Sequence, residues 1–364
     1  MNICIVAGAR PNFVKVAPIL RAIDKAKAEG RDVECVLVYA GTESDATLEQ
    51  SLFDDLQMRH PDVYLGVDCS SLNELTGRVM GEFERYLLGH PTDVVIVVDD
   101  LASTMAAAIV TKKQGVKLAH LVAGTRSFDI TMPKEINRLV IDGLSDLLFT
   151  AGEGASNIVT REGVQLSQIY LVGNILIDTL RANYNRFRRP QILGQLGIGD
   201  QEYLVFTLNR KVLIGDADNL RNMLKAIIQA SGDLHIVAPL RGYARKAVAA
   251  QLATINANLD RFHLVDPLGY LEFGYLTAHA KGIITDSGNV AEEATFNGVP
   301  CATLNSYTEH IETVRTGTNV LVGEDSNRLT EVVTDMVSGQ WKKGSLPDRW
   351  DGRSAERIVQ ILLS

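Results

Sequence analysis

The stretch Ile284-Thr285-Asp286-Ser287-Gly288-Asn289-Val290-Ala291-Glu292-Glu293-Ala294 decides the fold. An apolar strand ends at Thr285, a Gly-containing turn follows, and a helix opens. The start of the chain repeats that grammar in Gly8-Ala9-Arg10-Pro11. A strand that turns into a helix in this way leaves backbone N–H groups unpaired and points the positive end of the helix dipole at whatever lies there. Arg10 and Lys15 add cations at the first turn, and Glu292 and Glu293 add carboxylates one helical turn inside the second. A diphosphate needs groups of the first kind and a ribose diol needs groups of the second. The two half-sites point to a nucleotide held between two α/β domains.

Working outward, apolar strand candidates lie at residues 3–6, 33–39, 94–98, 118–122, 147–150 and 169–172. Amphipathic helical stretches such as 12–29 and 71–88 separate them. A second series follows at 203–207, 234–238, 262–265, 282–285, 301–304 and 320–322. Short, nearly continuous apolar strands alternating with helices indicate parallel sheets covered on both faces. The expected architecture is α/β, with two Rossmann-like doubly wound domains at residues 1–175 and 190–345. Residues 181–199 read as the linker, and a last helix over 352–364 is expected to pack back on the first domain. Ligands of such domains bind at the carboxyl ends of the strands, where both half-sites fall.

Composition agrees. A chain of 364 residues is long for one domain and natural for two. With 46% hydrophobic and 22% charged residues it reads as a soluble globular protein. A net charge of −8 argues against nucleic acid or a membrane surface as the main partner. No apolar run approaches the roughly 20 residues that a bilayer requires. The start reads as a first strand, without the features of a secretory leader. Cys4, Cys35, Cys69 and Cys301 are widely spaced and read as free thiols of a cytoplasmic protein, with no metal site.

Several motifs, in order along nearly the whole chain, carry a resemblance. They are Gly8-Ala9-Arg10-Pro11-Asn12-Phe13-Val14-Lys15, Ala123-Gly124-Thr125-Arg126-Ser127-Phe128-Asp129, Met132-Pro133-Lys134-Glu135-Ile136-Asn137-Arg138, Val172-Gly173-Asn174, Thr285-Asp286-Ser287-Gly288 with Glu292-Glu293, and Thr308-Glu309. Together they resemble the non-hydrolysing UDP-N-acetylglucosamine 2-epimerases. The resemblance implies a GT-B fold, UDP or a UDP-sugar as ligand, a homodimer, a place in polysaccharide biosynthesis, and no cofactor. It implies chemistry in which the C2 proton is removed, UDP is expelled, and both are restored on the opposite face. That needs acid/base groups near C2 and cations on the leaving diphosphate.

On the diphosphate side the matching residues are Arg10, Lys15, Arg210, Ser287 and Gly288, with Glu293 on the ribose, while His310 stands where the family has an arginine near the diphosphate. Arg10 also reads as a surface charge at a helix start, although a cation is unfavourable there without an anion. Glu292 and Glu293 also read as a solvated helix face or a capping box. On the acid/base side the pattern is depleted. Asp100 keeps one catalytic carboxylate position, but Val122, Lys134 and Asn209 stand where the family has Glu, Glu and His. Valine has no proton to exchange, Asn209 does not titrate, and Lys134 brings a cation where a carboxylate acted. Glu135 is retained as a candidate acid/base group, with a plain ion pair to Arg138 as its alternative. Asp99 and Asp100 also read as caps of a helix starting near Ser103, and His120 as a structural histidine.

Three functions stay open on the sequence. One is an isomerase or related enzyme with a catalytic set drawn from Asp99, Asp100, Lys134 and Glu135. Another is a silent member that binds a nucleotide-sugar or pairs with an active paralogue. The third is a GT-B transferase that passes the sugar to an acceptor. All three share the fold and the diphosphate cradle.

Overall fold

A computed structural model describes residues 1–364. The chain forms two compact units, one of Met1–Ala182 with Asp348–Ser364 and one of Asn183–Pro347. The first holds a parallel sheet of β1 (Asn2–Ala7), β2 (Glu34–Tyr39), β3 (Val63–Tyr64), β4 (Val94–Val98), β5 (Lys117–Ala123), β6 (Leu147–Thr150) and β7 (Ile169–Leu171). Their order is β3-β2-β1-β4-β5-β6-β7. Every residue of β4, Val-Val-Ile-Val-Val, is buried, as expected of a central strand covered on both faces. On one face Phe83, Tyr86 and Leu87 of the helix Leu72–Gly89 pack against Cys4, Val6, Val95 and Val97. The two-residue β3 is too short to show in the sequence pattern.

The last helix, Ser354–Leu362, belongs to this unit. Its buried residues Ala355, Ile358, Val359 and Leu362 recur at helical spacing. Its own N-cap, Arg353, offers no capping side chain. Asp178 caps it from the helix Ile175–Asn183 instead, accepting from Ala355 N at 2.8 Å and Ser354 N at 3.2 Å. Two otherwise unpaired amides are thereby satisfied.

The second unit repeats the plan with β8 (Tyr203–Phe206), β9 (His235–Pro239), β10 (Phe262–Val265), β11 (Gly282–Thr285), β12 (Cys301–Thr303) and β13 (Asn319–Leu321). The order is β10-β9-β8-β11-β12-β13, all parallel. Residues 190–199 are not linker in character. Leu193 and Ile198 are fully buried in this unit's core beside Tyr203 and Val237, with Ile192 and Leu196 packed against it, so four aliphatic side chains anchor the end of the stretch 181–199 that reads as a connector.

Each sheet reverses its strand order once, between β1 and β4 in the first unit and between β8 and β11 in the second. At such a switch point the loops leave in opposite directions and open a crevice at the carboxyl ends. The loops that leave there are Gly8–Arg10 and Asp99–Asp100 in one unit, and Asn209–Arg210 and Asp286–Ser287 in the other. The four cysteines are free, and no helix is long and apolar enough to cross a membrane.

Candidate functional site

In the second unit Asp286 ties the switch point together. Its Oδ2 accepts from the backbone amides of Asn209 at 2.7 Å and Arg210 at 2.5 Å. The Arg210 guanidinium donates to Asn305 Oδ1 at 3.0 Å and lies 6.0 Å from the Tyr307 ring centre. Thr207 and Thr285 share a hydroxyl hydrogen bond of 2.6 Å across the two strand ends. The helix Gly288–Asn297 starts at Ser287, whose hydroxyl does not cap it. Its first-turn amides and that hydroxyl therefore suit an anion.

A Cβ at Gly288 would come 2.8 Å from His310 Cδ2 and 3.1 Å from its Nε2. Glycine is what lets the imidazole lie against the helix start. His310 Nδ1 is 2.9 Å from Glu292 Oε1, which fixes the ring from behind. Glu292 and Glu293 are both buried, which removes the solvated-face alternative, and with Ser287 at the N-cap the N3 residue is Val290, which removes the capping box. Burial, with the neighbouring Glu292 adding to it, pushes the Glu293 carboxyl up to about 8. At neutral pH Glu293 is therefore mainly a neutral acid, able both to donate to and accept from a diol.

In the first unit Asp99 has the corresponding place. It accepts from Lys15 Nζ at 2.5 Å and Asn12 Nδ2 at 2.8 Å. Asn12 Oδ1 in turn accepts from the amides of Gly8 and Ala9, at 2.8 and 3.2 Å. Lys15 is buried in this pairing rather than presented to solvent. Arg10 is the first residue of the helix Arg10–Ala28 and is half-buried. Neither Asp99 nor Asp100 caps the next helix. That helix, Ala102–Lys113, has Leu101 at its N-cap with no capping side chain.

Asp100 Oδ2 accepts from Arg138 Nε at 2.8 Å and Nη2 at 2.5 Å, and Oδ1 is 3.2 Å from Lys134 Nζ. Burial alone would raise this carboxyl, but Lys134 and Arg138 outweigh it and hold it below the usual carboxylate range. Glu135 is buried and holds the loop before its helix. It accepts from Ser127 N, Ser127 Oγ and Phe128 N, each at 2.9 Å, and from Arg138 Nη1 at 3.0 Å. Against the effect of burial these donors lower its carboxyl too. A general base works best with a pKa near the ambient pH. Both carboxylates are tuned away from it.

Behind them Asp142 is buried and makes three contacts with the end of β5 and the loop that follows. His120 Nδ1 is 2.5 Å from its Oδ1, while Gly124 N at 3.0 Å and Arg126 Nη1 at 2.7 Å reach its Oδ2. His120 Nε2 meets the Asp99 carbonyl at 3.0 Å, so both ring nitrogens are engaged, as a structural histidine requires. Between these anchors Val122 is half-buried at a register shift of β5 against β6, with φ of 72°. Asp142, like Asn305, lies outside the resembling motifs. Nothing in its spacing from His120 signals the contact.

The sequence model of UDP-N-acetylglucosamine 2-epimerase matches residues 25–363. The chain belongs to the UDP-N-acetylglucosamine 2-epimerase family. A UDP-N-acetylglucosamine 2-epimerase homolog of Methanococcus maripaludis is 35% identical, over 100% of this chain and 99% of that protein. A UDP-2,3-diacetamido-2,3-dideoxy-D-glucuronate 2-epimerase of Pseudomonas aeruginosa is 31% identical over 91% of each. The crystal structure of the Methanocaldococcus jannaschii UDP-GlcNAc 2-epimerase, in complex with UDP-GlcNAc and UDP, aligns with a TM-score of 0.85 at 32% identity. It covers 100% of this chain and 99% of that one. Family membership and the GT-B fold therefore stand together.

Proposed function

We propose that this chain binds a UDP-sugar of the N-acetylhexosamine type and interconverts UDP-GlcNAc and UDP-ManNAc slowly or not at all. The second-unit half-site, with Arg210, Ser287, Gly288 and His310, takes the diphosphate, and Glu293 takes the ribose. The first-unit half-site, with Arg10, Lys15 and Asp100, takes the leaving-group side and the sugar. The binding half of this reading is supported by the M. jannaschii relative, which binds UDP-GlcNAc and UDP. One observation carries the catalytic half. Each carboxylate of the first-unit cluster, Asp99, Asp100, Glu135 and Asp142, is already matched to a cation or to several donors. Asp100, Glu135 and Asp142 are all held below the usual carboxylate range, and Val122 and Lys134 supply no carboxylate in their place, so this cluster is poorly suited to remove a C2 proton. Losing one proton-transfer group typically lowers rates by about 10²–10⁴.

The same pairing favours a second reading, a GT-B transferase or a silent partner of an active paralogue, since either needs fewer proton-transfer groups. A homodimer in the cytoplasm belongs to the proposal as well. Incubation with UDP-GlcNAc and UDP-ManNAc in D₂O, followed by NMR at C2, tests the catalytic half. Slow or absent deuterium incorporation is expected. Exchange at the rate of a working epimerase would refute it.

A further inference from the structure

The least comfortable backbone in the first unit is at Val122. A β-branched residue at φ of 72° is a genuine outlier, because its Cβ crowds the carbonyl. Such a residue persists only where its surroundings over-determine it, and those surroundings tend to be ligand sites. Here the surroundings are explicit. Asp142 holds position 120 on one side of Val122 and positions 124 and 126 on the other. Arg126 is braced again by Glu162, at 2.9 and 2.5 Å. Gly124, at φ of 78°, has no room for a side chain, since a Cβ would come 2.4 Å from the Ala155 carbonyl oxygen. Thr125 Oγ1 closes back on the Val122 carbonyl at 3.0 Å. Leu121 and Ala123 are buried, while Val122 between them is half-buried.

We propose that Asp142 is a positioning residue of the site: by gripping His120, Gly124 and Arg126 it holds Val122 at positive φ where β5 shifts register and fixes it as an apolar wall against the glycosyl group. The charged side chains nearby are spent on one another, so what Val122 offers a ligand is shape. This rests on the nucleotide-sugar reading for the identity of the ligand, but not for the clamp itself.

The clamp is tested without ligand. At an ordinary strand position an Ala-to-Gly change lowers stability, whereas at positive φ it raises it. Comparing Val122→Ala with Val122→Gly, the glycine variant should melt higher by about 2–4 °C. In an Asp142→Asn background that gain should vanish, because the backbone at 122 is released. If Asp142→Asn does not fold, the first comparison still decides. An alanine variant that melts at or above the glycine variant overturns the clamp.

The ligand half is read by calorimetry on the full chain with UDP and UDP-GlcNAc. Val122→Gly should weaken UDP-GlcNAc relative to UDP by about tenfold, as removal of an apolar contact does. UDP binding with an unchanged ratio overturns the wall alone. Failure of the unsubstituted chain to bind either ligand overturns the nucleotide-sugar reading and the wall with it, while the clamp is judged on the melts.

Discussion

Glu293 shows how burial of one carboxyl couples the fold to pH. Burial holds it protonated to about pH 8, whereas the same residue in an unfolded chain ionises near its ordinary value of about 4.3. Between those values the folded state binds more protons than the unfolded state, so stability falls as pH rises from about 4.5 to about 8 and then levels. Glu293→Gln should flatten that slope, and thermal melts across the range would show it. An unchanged slope would mean that Glu293 is ionised in the fold. Asp100→Asn bears on chemistry: if the chain turns over at all, that variant should abolish turnover and leave UDP affinity nearly intact, as paired kinetics and calorimetry would reveal. The switch-point motifs at Gly8–Lys15 and Thr285–Gly288 were legible because each ends an apolar strand in a Gly-containing turn. The pairing of Asp99 with Lys15 and the three-way grip of Asp142 were not, because they join positions whose proximity only the folded chain creates.

At the scale of elements, the helix Gly288–Asn297 is where the proposed diphosphate site is tested. Gly288→Ala puts a methyl group within 2.8–3.1 Å of the His310 ring, so the imidazole must move or the helix start must shift. With the diphosphate at this helix start, as proposed, UDP affinity should fall by about tenfold or more, as calorimetry would register. Unaltered affinity would place the diphosphate elsewhere. The strands of both sheets are readable because strands buried on both faces are nearly all apolar. The short β3 carries too few residues for any periodicity. The stretch 190–199 misleads by its neighbours, since residues 181–189 are strongly polar while Ile192, Leu193, Leu196 and Ile198 pack into or against the second core.

At the scale of the molecule, each unit has its own parallel sheet and core, but the chain enters the first unit twice. Deleting residues 348–364 removes Ile358, Val359 and Leu362 from that core and leaves Asp178 without the helix it caps. At roughly 1.5–3 kcal/mol for each large aliphatic side chain, the loss rivals the whole stability of a typical domain. The truncated chain should show the first unit's melting transition lost or strongly lowered, with the second unit's retained. A single unchanged transition would contradict the division. The proposed function requires that the chain bind UDP. Calorimetric titration of the unsubstituted chain with UDP tests it most directly. Saturable binding of one UDP per chain, weakened in Arg10→Ala and in Ser287→Ala, is the predicted result. No heat of binding to the folded, unsubstituted protein would contradict it.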